Sequence, residues 1–436
     1  MNHHKHFTLL MVMLNGMQIM KISQSQVYRK QKNKKHEVKI MRVLVAMDEF
    51  DSILSSYHAN RFVEEAIKSQ FNEADIVQVP LFNGQREVID SVLLWQSGTK
   101  YSVDHHDAYM RLKSSSYVVT EKDIIVIEAG NVLTSSEDII KPLETSSFGL
   151  GEVILEALNE DSNEILISVG DVASYDGGLG MLQALGAKFF DAEGSFIDVS
   201  QGAKQIKYIR TIDLYDLDKR LKDKNIKVIT DFESKYYGKN SRIMKEQAIN
   251  QIAIEDAVSI DNALWYISEL FKSQHRILLG KEERGGSGSG LAALFNCLWD
   301  AQLVTGGDVV NELTYLDKLI EQADLIVFGE GLKPNQQLLE TTSVRIADLC
   351  NKYQKVNIAI CATDEKFDQY LEKDVTAMYK VFNKDQYLMS DLELGDDSAC
   401  LPPNIGKNRL MLSLQLILLT KMEIVMKHDV NGSALI

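Results

Sequence analysis

Two hydrophobic patterns alternate along this chain. Short β-branched apolar runs closing on Gly, Pro or Asp predict strands at Arg42–Met47, Asp75–Pro80, Tyr117–Val119, Ile124–Glu128, Glu164–Val169, Lys227–Asp231, Asp324–Phe328, Val356–Cys361 and Met378–Phe382. Between them, helical spacing of apolar residues predicts helices at His58–Phe71, Gly149–Asn159, Gly178–Leu185, Ile243–Phe271, Gly290–Asp300, Val309–Gln322 and Leu339–Tyr353. Strand–helix alternation implies an α/β fold with largely parallel sheets and functional residues at strand C-terminal ends. No internal repeat is present.

The most informative stretch is Val169 to Ala187. A buried-type run, Glu164 to Val169, leads into Gly170, then into the acidic turn Asp176-Gly177-Gly178, then into a helix carrying Met181, Leu182, Ala184 and Leu185 that closes at Gly186. A strand feeding a Gly turn and a helix N-terminus is where α/β proteins aim backbone N–H groups at phosphates. Glycine there permits positive φ and close backbone approach. Asp176 has the chemistry of a base, a metal ligand or a helix cap.

A second run, Gly285-Gly286-Ser287-Gly288-Ser289-Gly290, follows Ile277–Leu279 and precedes a helical pattern. It can turn N–H groups toward an anion, with Arg284 adding a cation. Read alone, such a run is commonly a flexible loop. On the loop reading of phosphate binding, Gly288→Val weakens nucleotide affinity and leaves the fold intact. Gly329-Glu330-Gly331 places a carboxylate after a predicted strand. No G-x-x-x-x-G-K-[ST] motif occurs, so any phosphate cradle is of another kind. His105-His106, between Asp104 and Asp107, reads as a solvated loop, because neighbouring side chains seldom chelate one ion.

Composition narrows the function classes. The 436 residues are enough for two domains, and 45% hydrophobic with 25% charged is ordinary for a globular protein. A net charge of −15 disfavours nucleic acid as a partner. Four cysteines without CxxC or Cys/His spacing read as reduced thiols of a cytoplasmic protein. No apolar run reaches the roughly 18–20 residues of a membrane span. Residues 1–40 differ from the rest, with eight Lys/Arg against one acid, Glu37. They read as a leader or disordered arm before a start at Met41. Residues 401–436 form an atypical tail, almost wholly apolar from Leu410 to Leu419.

The Gly170–Ala187 run resembles the bacterial glycerate kinase family. That family carries Gly-Gly-Ser-Ala-Thr-Asn-Asp-Gly-Gly followed by Gly-Met-Leu-Gln-Ala-Leu-Gly-Ala. Gly170, Ala173, Asp176, Gly177, Gly178 and all of Gly180 to Ala187 match, while Asp171, Val172 and Tyr175 stand where the family has Gly, Ser and Asn. The Gly285–Gly290 run aligns with the family's Gly-Ala-Ala-Gly-Gly-Met-Gly, and Gly329-Glu330-Gly331 with its Gly-Glu-Gly. The family's Ala-Pro-Asp-Ser-Phe-Lys becomes Ala46-Met47-Asp48-Glu49-Phe50-Asp51. Its Ala-Asp-Gly-Gly-Glu-Gly-Thr becomes Phe82-Asn83-Gly84-Gln85-Arg86-Glu87-Val88, and its Asp-Val-Asp-Asn-Pro becomes Asp231-Phe232-Glu233-Ser234-Lys235. Glu144 to Glu152 matches a helix entry in which Ser147 is a candidate cap.

The resemblance covers about Met41 to Leu388. It implies two α/β domains with the active-site cleft between them. The first takes residues 41–90 plus 280–400, and the inserted second takes 91–279. It implies ATP, Mg²⁺ and D-glycerate or a similar small hydroxy acid as ligands, with phosphoglycerate and ADP as products; no nucleic acid or membrane partner is implied, and the oligomeric state is open. Asp176 is the expected catalytic residue. Gly170, Gly177, Gly178, Arg284, Gly285, Gly286 and Gly288 are expected to bind substrate or phosphate, and Asp48, Asp231 and Glu330 to serve metal or ligand. The replaced charges, among them Asp51 for a lysine, also fit an alternative: a catalytically degenerate paralogue that binds nucleotide or hydroxy acid in a regulatory or interaction role.

Overall fold

A computed structural model describes residues 40–50, 54–135, 140–248, 252–331, 341–361, 373 and 375–380. The leader, the tail after residue 400 and positions 332–340 and 51 lie outside the described residues.

The strands are β1 (Arg42–Met47), β2 (Asp75–Gln78), β3 (Gly98–His106), β4 (Leu112–Thr120), β5 (Ile124–Glu128), β6 (Glu164–Ser168), β7 (Lys188–Phe190), β8 (Thr211–Asp213), β9 (Asn225–Thr230), β10 (Gln302–Thr305), β11 (Leu325–Glu330), β12 (Val356–Cys361) and β13 (Ala377–Lys380). The helices are α1 (Ser56–Gln70), α2 (Val88–Trp95), α3 (Ala129–Val132), α4 (Phe148–Ala157), α5 (Leu179–Ala184), α6 (Arg242–Ala248), α7 (Ile254–His275), α8 (Leu291–Trp299), α9 (Gly306–Thr314), α10 (Leu316–Gln322) and α11 (Thr342–Lys352).

Five strands form a first sheet in the order β13-β12-β11-β1-β2, and every pair is parallel. Six form a second sheet in the order β10-β9-β6-β5-β4-β3. Its β10 to β5 half is parallel, and β4 and β3 add an antiparallel edge. β7 and β8 make a small antiparallel pair. The expected α/β class with largely parallel sheets is what is found. The expected break near residue 280 falls short of the second sheet's last strand, because the chain returns after α8 to add β10 beside β9.

The two sheets share a core. Leu44, Ala46, Ile326 and Phe328 of the first sheet and Val126, Leu166 and Ile229 of the second belong to one buried cluster, with Val88 and Val92 of α2 among them. β1 is buried from Val43 through Met47, the continuous apolar run expected of a parallel strand covered on both faces.

Three expectations change. The helix expected over Val309–Gln322 is two, α9 and α10, because Tyr315 adopts φ 55° and its N–H closes α9 on the Asn311 carbonyl at 2.8 Å. The helix expected over Ile243–Phe271 is also two, with Ala253 extended before α7. His105-His106 is not a solvated loop. The pair ends β3, with His105 buried and the His106 ring 2.9 Å from a Glu152 carboxylate oxygen. Among the described residues, no helix is long and apolar enough to cross a membrane.

Candidate active site

At the first sheet's C-terminal edge, β1 and β11 run in register, with Met47 opposite Gly329. This sets Asp48 and Glu330 at neighbouring strand ends, both buried. Asp48 accepts from the Asn83 amide and from its neighbour Glu49 N–H at 2.8 Å. The Asn83 oxygen accepts from the Thr342 N–H at 2.8 Å and hydroxyl at 3.0 Å, and the Thr341 hydroxyl donates to Glu330 at 3.1 Å. Thr341 also caps α11. The start of one helix thus fixes two strand-end carboxylates.

At the second sheet's edge, β9 delivers Thr230 and Asp231. The Ser287 hydroxyl donates to Asp231, and the Asp231 N–H is 3.2 Å from the same hydroxyl oxygen. Arg284 donates to the Thr230 hydroxyl at 3.2 Å. Desolvation pushes the Asp231 carboxyl up, against the charge of Arg242 and the Ser287 bond. Arg242 carries no functional signal in the sequence. It is buried, pairs with Glu246 at 2.6 Å, and donates to the Val172 carbonyl at 2.7 Å and toward the Ser289 hydroxyl at 3.4 Å. Tyr175, which replaces the family's Asn, donates to Glu246 at 2.5 Å. One buried guanidinium therefore ties together the loops that follow β6 and β9 and the Gly/Ser run. A substitution there would leave a buried charge unpaired, the costliest kind of loss.

The segment from Val79 to Val88 joins the two edges. Its Gly84 carbonyl accepts from Gly170 N–H at 3.1 Å, and a Cβ on Gly170 would lie 2.5 Å from that oxygen. Gly170 is therefore required for the contact. Arg86 forms an ion pair with Asp171, and Glu87 accepts from the Ser56 N–H at 2.8 Å. Beneath lies Glu128, the last residue of β5, 3% exposed and accepting from Ile89 N–H at 3.2 Å at the start of α2. Burial pushes its carboxyl up to about 7, against those backbone bonds.

The glycine turns are packed. Asp176 has no exposed surface. Its Oδ2 accepts from Ser147 N–H at 2.7 Å, Gly180 N–H at 2.9 Å, the Ser147 hydroxyl at 3.0 Å and the Ser146 hydroxyl at 3.2 Å, while Oδ1 accepts from Gly178 N–H at 3.0 Å. Burial raises its carboxyl, opposed by those donors. The residue is thus enclosed rather than presented to a ligand. Ser147 does not cap its own helix. Its hydroxyl instead links Asp176 to Met181 N–H at 2.9 Å. Gly177 and Gly178 have positive φ and sit against Leu264, Tyr236 and Leu294.

The Gly285–Gly290 run is buried throughout and is not a flexible loop. Gly286 lies against the Lys235 carbonyl, and a Cβ on Gly288, at φ +62°, would lie 2.8 Å from Val169. Gly285 packs on Ala293. Gly288→Val therefore cannot leave the fold intact. The structure brings Asp231, Arg284, Gly286, Gly288 and Gly170 to the second edge, and Asp48 and Glu330 to the first. Among the described residues, no group of three or more His, Cys, Asp or Glu side chains is placed to hold a metal ion.

Fold and site together define an α/β enzyme whose strand-end loops meet where two sheets share a core. The chain belongs to the glycerate kinase family, whose model matches residues 43–397. It is 28% identical to the glycerate 2-kinase of Escherichia coli K12 over 334 residues, 74% of this chain and 86% of that protein. It is 26% identical to a glycerate kinase of Bacillus cereus, over 78% of this chain and 90% of the relative. In fold it is similar to a crystal structure assigned as glycerate kinase 2 from Salmonella typhimurium LT2. The TM-score is 0.71 at 23% identity, covering 89% of this chain and all of the other.

Proposed function

We propose that this glycerate kinase family member transfers the terminal phosphoryl group of ATP to a hydroxyl of D-glycerate. The observation that carries this reading is the convergence of the loop after β2 with the loops after β6 and β9 and the Gly/Ser run, beside strand-end carboxylates. Phosphoryl transfer asks a protein chiefly for positioning and charge stabilisation. The loops supply the first through backbone contacts such as Gly170 to Gly84. Arg284, seated on Thr230, supplies cationic charge next to the Gly/Ser run.

Mg²⁺ typically takes one or two carboxylates together with water and substrate phosphates. The hard oxygen donors here fit that demand. Asp231, partly exposed beside Ser287, is the carboxylate that would hold the ion, with Asp48 and Glu330 at the other edge. When bound, the ion would neutralise charge on the phosphates. Asp176 acts in this reading as a positioning residue, fixing the turn after β6 to the start of α4.

The test is ADP release with ATP and a panel of small hydroxy acids. D-glycerate-dependent release is expected. Nucleotide binding without release for any acid would favour the second reading, a degenerate paralogue. The observation behind that reading is the replacement of family residues by Asp171, Val172 and Tyr175 at one turn.

A further inference from the structure

Two departures from the family pattern meet in space. Arg86 stands where the loop after β2 ordinarily carries Glu, and Asp171 where the loop after β6 carries Gly. The two form an ion pair between those loops. A third departure, Asp51, removes a lysine from the motif that follows β1. One loop has gained a cation and its neighbour a carboxylate to hold it, while the motif after β1 has lost a cation.

The pair is not explained by stability. Its side chains are 45% and 31% exposed, and pairs of that kind contribute little to folding. Asp171 also holds φ 54°, a region where glycine is at ease and an L-residue is uncommon. The neighbours of Arg86 are pinned. Gln85 is buried, and Glu87 is bound to the start of α1 by the Ser56 N–H at 2.8 Å and hydroxyl at 2.6 Å. Gly130 is close enough that a Cβ on it would lie 3.0 Å from the Gly170 carbonyl and 3.2 Å from that of Gln85. Arg86 therefore projects from a fixed backbone at the seam of the two edges. Burial alone would lower its guanidinium, but Asp171 first, then Glu49 and Glu128, raise it further, so it is a permanent cation.

We propose that Arg86 is the residue that binds the carboxylate of the hydroxy acid, with Asp171 as the positioning residue that aims it. The planar guanidinium fork matches a carboxylate, and it already engages one. This rests on the proposed function only for the ligand class, a small hydroxy acid.

Calorimetry with D-glycerate, and separately with ATP, tests it on wild type, Arg86→Gln, Arg86→Lys and Asp171→Gly, alongside KM for each ligand. Losing a charge-assisted bond is expected to weaken D-glycerate binding about tenfold or more in Arg86→Gln. ATP affinity should stay within about twofold of wild type, since the bond lost is to the acid. Arg86→Lys should recover part of the loss, and Asp171→Gly should weaken the acid without weakening ATP. Unchanged acid binding in Arg86→Gln overturns the inference, as does an equal loss for ATP. So does wild type that binds no hydroxy acid. Wild type that binds D-glycerate without transferring phosphate defeats the proposed function alone, and the Arg86→Gln comparison still decides this one.

Discussion

The Ser287 hydroxyl donates to the Asp231 carboxylate, so the Gly/Ser run and the end of β9 are held by one side chain. Ser287 is fully buried, and its oxygen also serves Asp231 N–H at 3.2 Å. Ser287→Ala deletes both bonds and leaves the carboxylate short of a donor. We expect a stability loss of about 1–3 kcal/mol, read as a lower midpoint in urea unfolding. A midpoint equal to wild type would show that the contact is incidental.

Asp176→Asn separates anchoring from chemistry. All five donors around Asp176 point at carboxylate oxygens. An amide NH₂ must face at least one of them, leaving buried donors opposed. The variant should lose about 1–3 kcal/mol of stability, measured by thermal melting. Its turnover per folded molecule should stay within about tenfold of wild type, since a positioning residue does not touch the reacting atoms. Full stability with a loss of about 10²-fold or more in turnover would instead make Asp176 the base.

Glu128 gives a pH dependence with a definite sign. Its carboxyl rises on folding from 4.5 to about 7, chiefly through burial. The folded state therefore favours the protonated form. That contribution is fully present below pH 4.5 and is lost as pH rises through about 7. Asp90 adds to the rise, while Arg86 favours the charged form. Glu128→Gln keeps an acceptor for Ile89 N–H and cannot ionise. Its melting temperature relative to wild type should increase between pH 5 and pH 8, by roughly a few degrees. A pH-independent difference would contradict the assignment.

What the sequence revealed follows from what it can encode locally. β1, β5 and β12 match the expected Arg42–Met47, Ile124–Glu128 and Val356–Cys361, because nearly every residue there is apolar and buried. β3 gave no signal. Its first five residues are exposed, as suits an edge strand paired on one side, so Tyr101 and Val103 are too few to mark it. The break at Tyr315 was hidden because a left-handed tyrosine carries no glycine signature.

The site divides in the same way. Glycine turns were legible as turns, since Gly177, Gly178, Gly288 and Gly290 all have positive φ. Their packing was not legible, because it depends on Tyr236, Leu264 and Val169, which are distant in sequence. Arg242 and Glu246 form an i,i+4 pair on a helix, a pattern that usually marks a solvated face. Only tertiary structure buries it. Glu128 left a usable trace, an acid closing a wholly apolar strand.

Phosphorylation of D-glycerate at the loops that meet around Asp231 is the proposed activity. It is tested most directly by ADP release with saturating ATP and D-glycerate, comparing wild type with Asp231→Asn. D-glycerate-dependent release by wild type is expected, with a loss of about 10²-fold or more in the variant, since a charge that stabilises the transition state would be removed. Melting temperatures should agree within a few degrees, because the amide introduced by the substitution retains an oxygen that can accept from Ser287. Wild type without D-glycerate-dependent release, or a variant of near-full rate, would contradict it.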